Sequence, residues 1–475
     1  MITFADAYKS CNNRSVLVTG NHNNPINVYR ELNDIVLDKK PRLQELINFD
    51  ELDESGRLIE NTNNLTTISE RFQEKISYIK ALIDELPDYD DLKGSMDGLF
   101  RLQDVYKLKP NLLVKGEGLG RQKSSGLNAY QCFGLGYYAH LNQDFSNAAI
   151  WLNVALELQK VEELGKKKST IDTQGKVVAA NTFNNELIAL DPTNERAVSN
   201  KIHFEDIIRH EKEPGRGRVG EDLDKYTEML IFQNNYEKLC RGENIVDSLE
   251  NPNLVCNLNF NIPFYMYAPL KEIILWQRPL IKMYYDIITD EETNHIKHIS
   301  TPRLKRATVQ NSANGKMETA EYRISKSTWL SDDYDEVIQR LNNRIAMITG
   351  MNLESSEQLQ IGNYGIGGQY EPHYDHSTDE ENLFGDVNGN RIATLMFYLS
   401  NVEAGGDTVF TEVNTRVSPV KNSAVFWWNL HRNGRSDDLT RHAACPVLVG
   451  SKWVMNKWIH DRGQEFTRPC SLLDE

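Results

Sequence analysis

The chain has no uninterrupted run of about 18 apolar residues, so it offers no helix able to span a bilayer. Basic residues are in deficit, with 53 Lys and Arg against 68 Asp and Glu and a net charge of −15. That balance disfavours a phosphate-tracking surface, and no nucleic-acid or membrane partner is expected. Cysteine is scarce: six residues, at 11, 132, 240, 256, 445 and 470, with no CxxC pair, which removes a dithiol centre or thiolate zinc site. Met1 to Lys9 lacks the apolar centre of a signal peptide. Signs of a secretory route are limited to the glycosylation tripeptides at Asn13 and Asn64. What is present is ample for globular folding. Of 475 residues 40% are hydrophobic, with seven Trp, 16 Phe and 20 Tyr, enough for about two to four domains.

The first half reads as helical. Val28, Leu32, Ile35 and Val36 recur at helical spacing, and Phe72, Ile76, Ile79, Ile83 and Leu86 mark an amphipathic helix stopped by Pro87. Ala155-Leu156-Glu157-Leu158 returns as Ala189-Leu190-Asp191-Pro192, an offset of 34 residues that matches the tetratricopeptide period. Three Gly and a Pro between Glu213 and Gly220 predict a linker. Beyond about Ile273 short apolar or alternating runs take over, at Glu357 to Tyr364, Ile392 to Leu399, Ala424 to Asn429 and Lys452 to His460, with turn pairs between them. They predict a β-sandwich or jelly roll, whose mouth can gather residues from several strands.

His373 and Asp375 are two positions apart, so on a strand they share a face. Alone, such a pair is a surface ion pair. His442, at the start of another predicted strand, adds the third donor of a two-His, one-carboxylate site, which leaves open positions on an octahedral Fe(II). Lys452 follows ten residues later; Pro446 and Gly450-Ser451 supply the breakers for a chain reversal between the two.

The stretches Asn363-Tyr364-Gly365, Gly367 to Asp375, Asn390 to Thr394, Gly405 to Phe410 and Arg441 to Trp453 together resemble the collagen prolyl 4-hydroxylase α subunits, with similarity near continuous from Tyr236 to Cys470. The resemblance implies a multidomain α+β chain. Its expected parts are a helical N-terminal region (1–90), a tetratricopeptide-like peptide-substrate-binding domain (91–212), a linker (213–240) and a double-stranded β-helix, or jelly-roll, dioxygenase domain (241–475). It implies that His373, Asp375 and His442 bind Fe(II). Lys452, Tyr364 and Thr408 hold 2-oxoglutarate, Arg391 and Trp458 line the substrate cleft, and His460 is catalytic. The implied activity is 4-hydroxylation of peptidyl proline, releasing succinate and carbon dioxide, with L-ascorbate maintaining the iron; a catalytically idle paralogue that binds peptides or assists assembly is the alternative. The resemblance further implies the endoplasmic reticulum lumen, protein disulfide isomerase as β subunit of a hetero-oligomer, and disulfides Cys240–Cys256 and Cys445–Cys470, with Cys132 a buried thiol. One departure stands out: no Tyr occurs between Tyr138 and Tyr226, and His140 takes a place where the family pattern leads one to expect Tyr. Since Tyr rings stack on proline, recognition of long collagen-like chains is expected to be altered.

Overall fold

The computed structural model describes residues 24–42, 44, 86–117, 126–164, 235–243, 256–260, 263–310, 317–377 and 388–471. Phe72 to Ile83 of the predicted helix, the second half of the 34-residue repeat, residues 213–234 of the expected linker, Cys11 and the tripeptides at Asn13 and Asn64 lie outside them, whereas residues 235–240 of that linker are helical. The chain divides into two compact units, Met1–Leu127 with Gln233–Glu475, and Asn128–Phe232.

In the first unit, α1 (Pro25–Asp34) begins where Asn24 accepts a hydrogen bond from the Ile26 amide and Pro25 fills the first turn, and it continues through a π-type turn at Ile35–Lys39. This is the helix expected from Val28, Leu32, Ile35 and Val36. α2 (Tyr89–Tyr106) starts with a reciprocal capping box between Asp88 and Asp91 and is followed by a short α3 (Pro110–Val114). In the second unit, α4 (Ala129–Leu141) and α5 (Phe145–Leu164) form a helical pair. Gly136 permits their close approach, because a Cβ there would lie 2.7 Å from Leu152 Cγ.

The strands are β1 (Cys256–Asn259), β2 (Leu270–Gln277), β3 (Leu280–Tyr285), β4 (Lys305–Arg306), β5 (Val309–Gln310), β6 (Met317–Glu318), β7 (Lys326–Leu330), β8 (Leu359–Tyr364), β9 (Tyr370–His373), β10 (Arg391–Tyr398), β11 (Ala404–Gly405), β12 (Thr408–Phe410), β13 (Thr415–Val417), β14 (Ser423–Trp428), β15 (His442–Ala444), β16 (Val447–Val449) and β17 (Lys452–His460). Nine of them form an antiparallel sheet ordered β1-β2-β3-β14-β10-β17-β8-β7-β4, and four form a second, ordered β13-β12-β15-β9. All four runs read from the sequence as strands are strands, within two residues at each end.

Alternation of side chains sorts each central strand between two cores. Leu395 and Phe397 of β10, with Met455 and Ile459 of β17, pack under α6 (Asp290–Ser300) and α7 (Glu336–Thr349), against Ile296, Ile338, Leu341 and Ile345. Met396 and Tyr398 point the other way, and with Trp427 and Val454 they meet Phe410, Val417 and Ala444 of the smaller sheet. The site lies in this gap between sheets. The back of the smaller sheet is covered by Val105 of α2 and by Tyr236, Leu239 and Cys240 of the short helix 235–240, packed on Val409, Ala443 and Cys445.

That packing corrects the cysteine expectation. Cys240 is bonded to Cys445, with Cα atoms 5.6 Å apart, while Cys470 is an exposed free thiol. The cause is the seat of helix 235–240, which brings Cys240 onto the end of β15. Cys132 is a buried free thiol, as expected.

Candidate active site

His373 closes β9 and His442 opens β15, and the two residues face each other across the antiparallel pairing. Asp375 lies in a bend just beyond β9 rather than on the strand, yet its carboxylate still reaches the histidines. Nε2 of His373 is 3.7 Å from Asp375 Oδ1 and Nε2 of His442 is 3.7 Å from Oδ2, and donor atoms of all three lie within 4.8 Å of one another. Each imidazole has its other nitrogen against a backbone carbonyl: His373 Nδ1 is 2.7 Å from Glu371 O and His442 Nδ1 is 3.0 Å from Thr440 O. A carbonyl only accepts, so both rings carry hydrogen on Nδ1 and turn Nε2 toward the centre. Burial pushes His373 down to about 3. Burial works to raise Asp375, but the charge that His442 and His373 hold when protonated carries it down to about 2. At neutral pH the set therefore offers a neutral His373 and an ionised carboxylate, donors that fit a divalent iron with positions left open.

Lys452 opens β17 opposite Tyr364 of β8. It is 1% exposed, its ammonium donates to Thr408 Oγ1 at 3.2 Å, and it makes no ion pair among the described residues. Tyr398 also donates to Thr408 Oγ1, at 2.8 Å, and the rings of Tyr364 and Tyr398 lie 5.6 and 5.7 Å from the ammonium. Burial lowers the lysine to about 7, with the Asp407 carboxylate acting in the opposite sense. Asp407 itself is buried and paired with Arg416 at 3.0 Å. A buried ammonium with hydroxyls and aromatic faces around it fits an incoming carboxylate.

Arg391, Trp458 and His460 form a third group. Arg391 is bidentate to Glu357, at 2.5 and 2.9 Å, donates to Asp375 O at 3.1 Å and stacks 4.0 Å over Trp458. A bulge between Arg391 and Ala393 puts Arg391 opposite His460; plain alternation would turn it to the other core. His460 Nδ1 lies 2.9 Å from Gly389 O and Nε2 3.1 Å from Glu357 Oε1, so both ring nitrogens are engaged. Burial works to raise Glu357, but the hydrogen bond with His460 and the Arg391 charge hold it below the usual value.

Several contributors escaped the sequence reading. Thr394 donates to Asp375 Oδ2 at 2.8 Å, and Asn429 Nδ2 donates to Thr394 Oγ1 at 2.9 Å. Glu357 and Tyr398 were also missed. Strand alternation was the available signal for Thr394 and Tyr398, which share a face of β10 with Met396; Glu357 lies before β8 and had none.

The paired sheets with this donor set and buried cation define a 2-oxoglutarate-dependent, non-haem iron oxygenase. The 2OG-Fe(II) oxygenase superfamily matches residues 359–460, and the prolyl 4-hydroxylase alpha-subunit N-terminal region matches residues 18–120. Prolyl 4-hydroxylase subunit alpha-1 of Mus musculus is 43% identical over 412 residues, covering 82% of this chain and 77% of its own, and subunit alpha-2 of Caenorhabditis elegans is 42% identical over 408 residues, covering 82% and 75%. Among solved structures, the 2OG complex of viral collagen prolyl hydroxylase vCPH from Paramecium Bursaria Chlorella virus-1 aligns with 38% of this chain and 95% of its own, at 25% identity and a TM-score of 0.32. The chain belongs to the prolyl 4-hydroxylase alpha-subunit family.

Proposed function

We propose that this chain is the catalytic α subunit of a procollagen-type proline 4-dioxygenase, acting on C4 of proline within a polypeptide. The overall reaction divides dioxygen, one atom entering succinate and the other the new hydroxyl, while 2-oxoglutarate loses carbon dioxide. The observation that carries the reading is the buried Lys452, which has no ion pair among the described residues, in the same inter-sheet gap as His373, Asp375 and His442. Hydrolysis at a metal does not by itself call for a second cation placed to take a carboxylate, whereas binding 2-oxoglutarate does. Iron, when bound, supplies the activation of dioxygen.

In this reading His373, His442 and Asp375 hold the metal. Lys452, with Thr408 and Tyr364, holds the distal carboxylate of 2-oxoglutarate. Arg391 and Trp458 wall the peptide cleft, and His460, expected to be catalytic, is read instead as steadying Glu357 and through it Arg391, because both of its ring nitrogens are engaged. The complete donor set disfavours the idle alternative. L-ascorbate is needed to restore iron oxidised in turnovers without peptide.

The division into a helical N-terminal region, a tetratricopeptide-like domain, a linker and a jelly-roll domain belongs to the same proposal, as do location in the endoplasmic reticulum lumen, glycosylation and assembly with protein disulfide isomerase. The α4–α5 pair supports a helical peptide-binding domain. Despite the tyrosine-poor stretch after Tyr138, α4 exposes Tyr130, Phe133 and Tyr137, the last two stacked at 5.9 Å, and such rings can lie on proline.

Succinate formation against 2-oxoglutarate concentration, with bound iron assayed in parallel, tests the assignment. Lys452→Ala leaves the carboxylate unpaired and should raise the KM for 2-oxoglutarate about a hundredfold or more with iron retained. Asp375→Ala should lose iron and turnover together. An unchanged 2-oxoglutarate dependence in Lys452→Ala would overturn the pocket assignment.

A further inference from the structure

α2 contacts two loops that border the site, through Gly98, Arg101 and Tyr106. The turn 365–369 joins Tyr364 to the strand ending at His373. Residues 445–447 join the strand carrying His442 to the hairpin that leads to Lys452. Gly405 and Gly406 precede Thr408. These segments are laced together by backbone bonds, from Gly367 N to Val447 O at 2.8 Å, Val447 N to Gly368 O at 3.1 Å, Gly406 N to Pro446 O at 3.0 Å and Cys445 N to Asp407 O at 2.8 Å.

The helix engages this junction at two points. Near its middle, Gly98 meets Gly367 backbone to backbone; a Cβ on Gly367, whose φ is +70°, would lie 2.9 Å from Gly98 Cα. One turn on, Arg101 Nη1 donates to Gly367 O at 2.7 Å. At its last residue, the Tyr106 hydroxyl donates to Pro446 O at 2.6 Å, the same oxygen that accepts from Gly406 N. The fit leaves no slack: a Cβ on Gly405 would lie 2.6 Å from both Pro446 O and the Tyr106 hydroxyl. On the pocket side, a Cβ on Gly406 would lie 3.6 Å from Lys452 Cδ. The contacts thus run from Tyr106, through Pro446 and Gly406, to the wall of the lysine pocket.

We propose that α2 is a positioning element for the 2-oxoglutarate pocket, acting chiefly through Tyr106, so that a helix outside the oxygenase sheets sets cosubstrate affinity. The inference rests on Lys452 and Thr408 holding 2-oxoglutarate. Tyr106 sets the spacing between the Gly405–Thr408 segment and the chain entering Lys452. Arg101 fixes the turn between Tyr364 and His373. Neither residue contacts the metal donors.

The test uses the full-length chain bearing Tyr106→Phe, Arg101→Met or both, with Lys452→Ala as reference. Steady-state KM and kcat, iron half-saturation and thermal melting are measured for each. Tyr106→Phe keeps the ring and removes one hydrogen bond, and should raise the KM for 2-oxoglutarate about fivefold. The double variant should raise it further, with kcat and iron half-saturation within about twofold of the parent, a split that general loosening of the fold would not produce. Unchanged KM values for 2-oxoglutarate in both single variants, beside a large rise in Lys452→Ala, would overturn the role of α2 and leave the pocket standing. Iron and cosubstrate affinity falling together with the melting temperature would overturn it also, reducing α2 to a stabilising helix. No rise in Lys452→Ala would remove the pocket and the inference with it.

Discussion

Asp375 is held from behind by the Thr394 hydroxyl, which is held in turn by the Asn429 amide. Such outer partners fix the carboxylate before a metal arrives, and losing one typically lowers metal affinity about 10- to 100-fold. Thr394→Val should weaken iron binding within that range while Thr394→Ser stays near the parent, as read by titration of the apo chain with Fe(II) under anaerobic conditions. Equal affinity in the Val variant would remove Thr394 from the account. A second prediction concerns protons. Burial lowers Lys452 to about 7 from an ordinary 10.5, so above that pH it is mostly neutral, whereas the proposed contact with 2-oxoglutarate needs the ammonium. Binding above pH 7 must therefore take up a proton. The dissociation constant should be nearly flat below about pH 7 and then rise by up to about tenfold per pH unit. Calorimetry in two buffers of different ionisation enthalpy checks this, and no proton uptake at pH 8 would contradict it.

At the scale of elements, the strands carrying the site could be read as short apolar runs bounded by turn residues, because each of β10, β14 and β17 buries both faces in apolar cores. Alternation fails where a strand is irregular. Counting by twos along β10 puts Arg391 with Leu395 and Phe397, on the helix side; the bulge after it restores Arg391 to the site, where it reaches Glu357 and Asp375. The cysteine pairing was illegible for another reason, since it depends on where helix 235–240 docks. A digest of the unreduced protein should yield a linked peptide containing Cys240 and Cys445, with Cys470 open to alkylation. Linked peptides joining Cys240 to Cys256 and Cys445 to Cys470 would instead support the pairing inferred from family likeness.

Across the whole molecule, the candidate metal donors and Lys452 were singled out through family resemblance rather than through any one motif, and the structure brings His373, Asp375 and His442 together and buries Lys452. The helices show the limit of such reading. Apolar periodicity finds α1, but it does not say that α2, from the region 91–212, packs in the same compact unit as the strands. That placement depends on Gly98 meeting Gly367 and on Arg101 and Tyr106 reaching carbonyl oxygens more than 250 residues away in sequence, contacts that leave no periodic trace. The central claim is that iron, cosubstrate and a polypeptide proline meet in one site between the sheets. It is tested most directly by incubating the full chain, with its partner subunit if one is required, with Fe(II), ascorbate, 2-oxoglutarate and a proline-rich peptide. Succinate and 4-hydroxyproline are then quantified in the same tube by mass spectrometry. The account predicts peptide-dependent succinate formed one for one with hydroxyl groups at proline C4, and neither product from His442→Ala. Oxygen added at lysine, or succinate formed with no hydroxyproline in any peptide offered, would contradict it.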